Sequence, residues 1–237
     1  MRKLLGRLLR TRLWRSLLRW PPRGTVRLGS LGRVTPVSRV FGLDRGLPID
    51  RAYIEQFLEA TRDDIRGVVL EVGDNAYTTR FGGVRVVRSD VLHLEPGAAG
   101  ATWTADLVSA GHLPAGAFDC IILTQTLQFI YDTRAAVRTL HRLLKPGGVL
   151  LVTVPGISQI SRFDMDRWGE HWRFTTLSLR RLLEEAFEAP QVSVGAQGNV
   201  LAAVAFLHGL AVEDLEPGVL GHSDPDYEVL ITGRAVR

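Results

Sequence analysis

Residues able to bind or react stand in this sequence where short apolar runs end. Val68-Val69-Leu70 leads into Glu71-Val72-Gly73, and the run Val84 to Val91 closes on Ser89-Asp90. Ala101 to Leu107 closes on Asp106-Leu107, and Ile121-Ile122-Leu123 on Thr124-Gln125-Thr126. A carboxylate can accept from two neighbouring sugar hydroxyls or from an exocyclic amine. Ligands of open α/β sheets sit outside the carboxyl ends of the strands, so Glu71, Asp90 and Asp106 are expected to converge on one crevice. A second set lies in the polar, aromatic stretch ISQISRFDMDRWGEHWRFT, which carries Asp166, Trp168, His171, Trp172 and Arg173. His171 or Asp166 suits proton removal from a hydroxyl. The competing structural reading makes Arg173 a clamp and the two tryptophans a small local core.

The elements that must position these groups are clearest between Phe118 and Gly156. Ile121-Ile122-Leu123 is apolar on successive residues, as a parallel strand covered on both faces requires. Ala136, Val137, Leu140, Leu143 and Leu144 then recur at helical spacing behind a cap at Asp132 or Thr133, with Arg134, Arg138 and Arg142 on the wet side. Lys145-Pro146-Gly147 stops that helix before a second buried strand, Val149 to Val154. A strand, a crossover helix and a parallel strand make a β-α-β unit, which is right-handed in nearly every sheet. Upstream, Ile49, Tyr53, Ile54, Phe57 and Leu58 predict a helix that packs before the sheet begins. Downstream, a helix is expected from about Ser178 to Phe187, another within Asn199 to Leu210, and closing strands at Val192 to Ala196 and Tyr227 to Val236. Only about ten residues, 74–83, separate the first two strands, fewer than a parallel crossover usually takes, so the first helix must shrink to a turn or two.

Charge is distributed unevenly. Residues 1–23 hold eight of the 29 basic residues and no acidic one, leaving 21 basic against 25 acidic in the remainder. The basicity therefore belongs to an arm, and the domain carries no electrostatic footprint for nucleic acid. Residues 1–40 are read as this basic arm and linker, and 41–237 as the folded domain. In residues 1–20 leucines and tryptophans alternate with arginines, and the apolar stripe changes face near residue 11. Two readings stand: an interfacial membrane anchor or a solvated basic tail. No run of about 18 uncharged apolar residues marks a spanning helix. Cys120, the single cysteine, sits inside an apolar run and reads as a packed hydrophobe, compatible with a reducing cytoplasm. The remaining histidines show no metal-ligand spacing, and no metal is expected.

Leu70-Glu71-Val72-Gly73, then Asp90, Asp106, Phe118-Asp119 and Leu144-Lys145-Pro146-Gly147-Gly148, resemble the class I S-adenosylmethionine-dependent methyltransferases of the type-11-like group over roughly residues 42–237. The resemblance implies a Rossmann-like three-layer α/β sandwich: a mostly parallel seven-stranded sheet with an antiparallel closing strand. It also implies S-adenosylmethionine as cofactor. Glu71 and Gly73 would place backbone against it, Asp90 would bind the ribose hydroxyls, and Asp106 with Leu107 would face the adenine. Thr124 and Gln125 would complete that site, and His171 and Asp166 would serve an acceptor, expected to be a small molecule, sugar or glycolipid intermediate methylated on oxygen. One departure is plain: Asp74, Asn75 and Ala76 stand where further glycines are expected. Tyr77, Thr78, Thr79 or Arg80 are then expected to reach the methionine carboxylate in place of a helix amino end. A chain that keeps the fold as a binding or scaffold protein is the alternative.

Overall fold

The computed structural model describes residues 21–22 and 24–237; the anchor and tail readings of residues 1–20 fall outside them. Ser38–Arg237 forms one compact unit. The described part of the preceding stretch holds a short 3-10 turn, Gly29–Leu31, with no buried residue.

The compact unit is built on seven strands: β1 (Gly67–Val72), β2 (Val86–His93), β3 (Trp103–Thr104), β4 (Phe118–Thr124), β5 (Leu144–Pro155), β6 (Val192–Gln197) and β7 (Leu230–Val236). They lie in the order β3-β2-β1-β4-β5-β7-β6. All pairs are parallel except β5–β7 and β6–β7, so β7 is the antiparallel closing strand. Helices α1 (Ile49–Ala60), α2 (Thr133–Leu143), α3 (Arg162–Trp168), α4 (Thr176–Glu184) and α5 (Val200–Leu207) accompany the sheet. This is the expected Rossmann-like three-layer sandwich.

Both faces of the sheet are covered, which is why the central strands are apolar on successive residues. Leu70, Ile121, Leu123, Leu150 and Val152 pack under α2 and α4, whereas Val69, Ile122 and Leu151 pack under α1 and α5. Cys120 is fully buried in β4, and burial pushes its thiol well above the usual range. Asp132 caps α2 by accepting from Ala135 N at 2.9 Å, and Thr175 and Ser178 cap α4 reciprocally. Among the described residues no helix is long and apolar enough to cross a membrane.

Four boundaries differ from expectation. β2 starts two residues late, because 83–85 make a 3-10 turn, and it runs on through Val91 and Leu92 to His93. The crossover between β1 and β2 therefore spans residues 73–85, and its helix is reduced to 76–82, mostly π (Thr78–Gly82), followed by that 3-10 turn. β3 is confined to two residues; just before it Thr102 bonds Val91 through both its backbone N–H and its hydroxyl, the hydroxyl accepting from Val91 N and donating to Val91 O. Lys145-Pro146-Gly147-Gly148 lies inside β5 as an irregularity in its pairing with β4, between Phe118↔Leu144 and Cys120↔Val149.

Truncating a fully buried side chain of α2 leaves a cavity as well as a lost transfer energy. Leu140→Ala is expected to lower unfolding stability by about 2–5 kcal/mol, against about 1 kcal/mol for Asp132→Ala, in urea denaturation. Equal, small effects would contradict the packing described.

Candidate active site

The carboxyl end of β1 is tied down by its own acid. Glu71 is 2% exposed; its Oε2 accepts from Thr78 N and Thr78 Oγ1, each at 2.7 Å, and its Oε1 from Tyr77 N at 3.3 Å. Glu71 thus binds the start of the π turn, doing for this short crossover what a longer helix would do through packing. Burial pushes its carboxyl up to about 7, against the pull of those donors. Beyond it, Gly73 has φ +99°, a conformation that L side chains rarely adopt, and a side chain there would point into open space. That leaves bare backbone facing open space at the carboxyl end of the sheet, where the crevice is expected.

Arg80 does not reach this crevice. Its guanidinium forks onto Glu55 of α1 at 2.6 and 2.9 Å, and Thr78 and Thr79 spend their hydroxyls on Glu71 and on Asn75 O. The expectation that Arg80, Thr78 or Thr79 bind a carboxylate is corrected: their polar atoms hold the crossover together.

Asp90 also needs correction. It lies three residues before the end of β2 and pairs with Leu70, while Glu71 pairs with Val91. Paired residues share a face and the pleat alternates, so Glu71 and Asp90 point to opposite faces of the sheet. The Asp90 carboxylate is taken by Arg88 Nη2 at 3.0 Å and Trp103 Nε1 at 3.2 Å, which brace the β2–β3 edge. His93 is the residue that ends β2. The apolar continuation Val91-Leu92 was the signal that the strand did not stop at Asp90. Asp106 is exposed just past β3, where Oδ1 accepts from Val108 N at 2.9 Å in a local turn, and the neighbouring Leu107 is buried.

At the end of β4 the chain turns sharply. Gln125 has φ +45°, and its amide N–H donates to Thr153 O at 3.0 Å, holding the turn against β5. Thr124 pairs with Thr153 as the last rung of the β4–β5 ladder. Gln128 Nε2 donates to Gln125 O at 2.9 Å and lies 3.3 Å from Gln125 Oε1. Gln125 Nε2 and Gln128 Oε1 are buried without any partner. Two unpaired amide atoms, one donor and one acceptor, are costly to bury; Tyr53 OH, Arg85 Nε, Gln197 Oε1 and His208 Nδ1 share that condition, and this pair is set apart by its place at the carboxyl end of a central strand.

The aromatic insertion after β5 closes over this turn. Its backbone N–H groups at His171 and Trp172 donate to Gln128 O at 2.7 and 3.3 Å, and Trp172 Nε1 donates to Ile130 O at 3.1 Å. Tyr131 stacks on Trp172 and meets the His171 ring edge-on, with centroids 5.7 and 5.4 Å apart. His171 itself is exposed and rests against Gly169, and Asp166 is exposed on α3. Arg173 donates to Gln159 O at 2.6 Å and pairs with Glu170 at 2.7 Å, the clamp that the structural reading describes. Tyr131 and Glu170 were missed in the sequence because neither sits at a strand end.

A further group missed in the sequence lies on α1. Asp50 keeps a solvent-reached edge, yet burial pushes it up to about 6. Three residues on, Tyr53 is fully buried and its hydroxyl has no partner. A concavity of about 660 Å³ lies at the amino end of the sheet beside Arg66, Arg85 and Asp119, and one of about 600 Å³ lies on the outer side of the insertion, between Tyr131, Trp172, Arg173 and Glu185. Among the described residues, no three His, Cys, Asp or Glu gather where they could hold a metal ion.

The Glu71 shift has a consequence for stability. The folded chain binds this proton more tightly than the unfolded one, so its contribution is whole below the ordinary glutamate pKa of about 4.3 and is lost as pH rises through about 7. Glu71→Gln keeps an oxygen for Thr78 and removes the titration. Urea midpoints between about pH 5 and 8 are expected to fall less steeply in this variant than in the parent. Parallel curves would contradict the shift.

Comparison with known proteins places the geometry. No curated protein sequence matches the chain. Phosphoethanolamine N-methyltransferase 2 of Haemonchus contortus, solved with S-adenosyl-L-methionine, shares the fold at TM-score 0.52 and 14% identity. The match covers 77% of this chain and 52% of that one, so this chain spans about half the length of that enzyme. N-methyltransferase NodS of Bradyrhizobium japonicum, in complex with S-adenosyl-L-homocysteine, matches at TM-score 0.52 and 16% identity over 85% of this chain and 94% of its own. The [4+2]-cyclase SpnF matches at TM-score 0.52 and 19% identity over 81% and 84%. These likenesses establish the fold alone. Residues 51–186, more than half of the chain, match the family model described as a methyltransferase domain, and the chain belongs to that family.

Proposed function

We propose that this protein is an S-adenosylmethionine-dependent methyltransferase acting on an oxygen of a small molecule, sugar or glycolipid intermediate. The observation that carries the reading is the pair of unpartnered amide atoms, Gln125 Nε2 and Gln128 Oε1, buried at the carboxyl end of β4 beneath an aromatic insertion. They fit a ligand that both donates and accepts, as an amino-acid or nucleoside portion does.

The residues present fit the cofactor. The bare backbone at Gly73 would lie along it, Asp106 and Leu107 would meet the adenine, and Thr124 and Gln125 would line the reacting end. When bound, S-adenosylmethionine supplies a methyl on a sulfonium, ready for in-line displacement. The chain's own work is then to align the acceptor and exclude water. The insertion held to Gln128 O and Ile130 O forms the acceptor wall. His171, fixed through its backbone and by Tyr131, is the proposed base for a hydroxyl acceptor, with Asp166 as the second candidate. The net acidic balance outside the arm argues against nucleic acid as substrate. The single buried thiol accords with action in the cytoplasm.

The second reading is a protein that keeps the fold without transferring methyl. It is favoured by Asp74-Asn75-Ala76 in place of glycines, and by the resemblance in fold to a protein described as a cyclase.

Isothermal titration with S-adenosylhomocysteine separates the two. The parent is expected to bind in the micromolar range, and Gln125→Ala to bind about tenfold more weakly, a loss of about 1.4 kcal/mol as for one hydrogen bond. Absence of heat with folded protein would remove the enzyme reading.

A further inference from the structure

Helix α5 is apolar all round, but the domain covers only one side of it. Ala202, Ala203, Ala205 and Phe206 are buried against α1 and the sheet, whereas Val200, Leu201, Val204 and Leu207 keep between 38% and 51% of their surface in water. At about 100° per residue the four exposed positions fall within one stripe of about 120°. An amphipathic helix of a water-facing domain puts polar residues there. Asn199 caps the helix by accepting from Ala202 N, and its Nδ2 donates to Val219 O and His222 O, so the stripe is presented on a well-anchored element.

The segment that opens the domain runs beside the carboxyl end of α5 and carries exposed apolar residues of its own. Ser38 N donates to His208 O at 3.1 Å, and Gly209 at φ +67° lets the two backbones touch, since a Cβ there would lie 2.3 Å from Ser38 O. The Phe41 ring, 5.9 Å from that of Phe206, pins the segment to α5. Its neighbours Val40 and Leu43 remain 48% and 55% exposed. Six large aliphatic side chains are thus left in water on α5 and the strap beside it, a concentration that commonly marks an interaction site.

What precedes Ser38 in the chain indicates the occupant. Residues 1–23 interleave eight arginines and lysines with leucine and tryptophan and contain no acid. Such a composition is drawn to an anionic bilayer surface. An acidic protein would satisfy the arm's charge but gives no reason for the aliphatic stripe; lipid accounts for both.

We propose that α5 and the Val40–Leu43 strap form a membrane-docking face: Val200, Leu201, Val204, Leu207, Val40 and Leu43 enter the headgroup boundary of an anionic lipid surface, and the arm supplies the attraction. The face operates independently of the acceptor and of the methyl-transfer reading.

The test is cosedimentation of the full chain with vesicles of phosphatidylcholine alone and of an equimolar mixture of phosphatidylcholine and phosphatidylglycerol. The parent is expected to sediment with the mixed vesicles and not with phosphatidylcholine. Leu201→Glu/Val204→Glu is expected to lower the partition coefficient by about tenfold or more. A second variant guards against misfolding. Because Cys120 is buried, Leu201→Cys offers an accessible thiol for a polarity-sensitive dye, whose emission should shift to the blue with mixed vesicles. Unchanged binding of the double variant, or unchanged dye emission, would show that the arm binds alone and would overturn the proposal. So would a parent that ignores mixed vesicles because its own arm covers the stripe, or that sediments as a dimer which the double variant dissolves.

Discussion

The active-site architecture depends on a buried carboxylate serving as a fastener. Glu71 leaves β1 and takes the first amides and a hydroxyl of the crossover onto its two oxygens. Burying a carboxylate is costly unless donors surround it, and here the donors are those that a short π turn leaves without intrahelical partners. The arrangement resolves the difficulty posed by a crossover too short for a full helix. The loop is held by an acid below it and by the Arg80–Glu55 pair beside it, so Asp74, Asn75 and Ala76 can stand where glycines were expected. Glycine is still used at Gly73, with φ +99°, and where the loop closes at Gly82, against Ile65 and Val86, and Gly83, with φ +54°.

The sheet was legible in the sequence because burial on both faces leaves a strong trace. Ile121-Ile122-Leu123, the helical spacing from Ala136 to Leu144, and Val149 to Val154 each correspond to an observed element. The edge was less legible. β3 is an edge strand of two residues, and beside it Thr102 adds its hydroxyl to a backbone bond with Val91, so the pattern of apolar residues no longer reports where pairing stops. Asp90 was read as a strand end for this reason, whereas β2 runs on to His93 and the register puts Asp90 on the opposite face of the sheet from Glu71. Spacing alone does not fix register.

The insertion and the amide pair show the same limit from the other side. That a Trp- and His-bearing stretch after β5 would lie near the carboxyl end of β4 followed from its position in the chain. That it would hang from Gln128 O and Ile130 O, with Tyr131 stacked on Trp172, could not be read, because these contacts join segments some forty residues apart through backbone carbonyls. Helix α5 belongs with them. Its apolar sequence reads as a core helix, and half of it is one. The other half is surface, and only the packing tells the halves apart.

Family membership rests on the matched domain and not on any individual carboxylate, so moving Asp90 leaves it intact. The central physical claim is that the ligand sits on the carboxyl ends of β1 and β4, on the Glu71-held loop and the Gln125–Gln128 turn. Amide hydrogen exchange with and without saturating S-adenosylhomocysteine tests it residue by residue. The account predicts slowed exchange over residues 73–78 and 125–130, with no change at residues 63–67 at the opposite end of the sheet. Protection confined to that opposite end, beside Arg66 and Arg85, would contradict it.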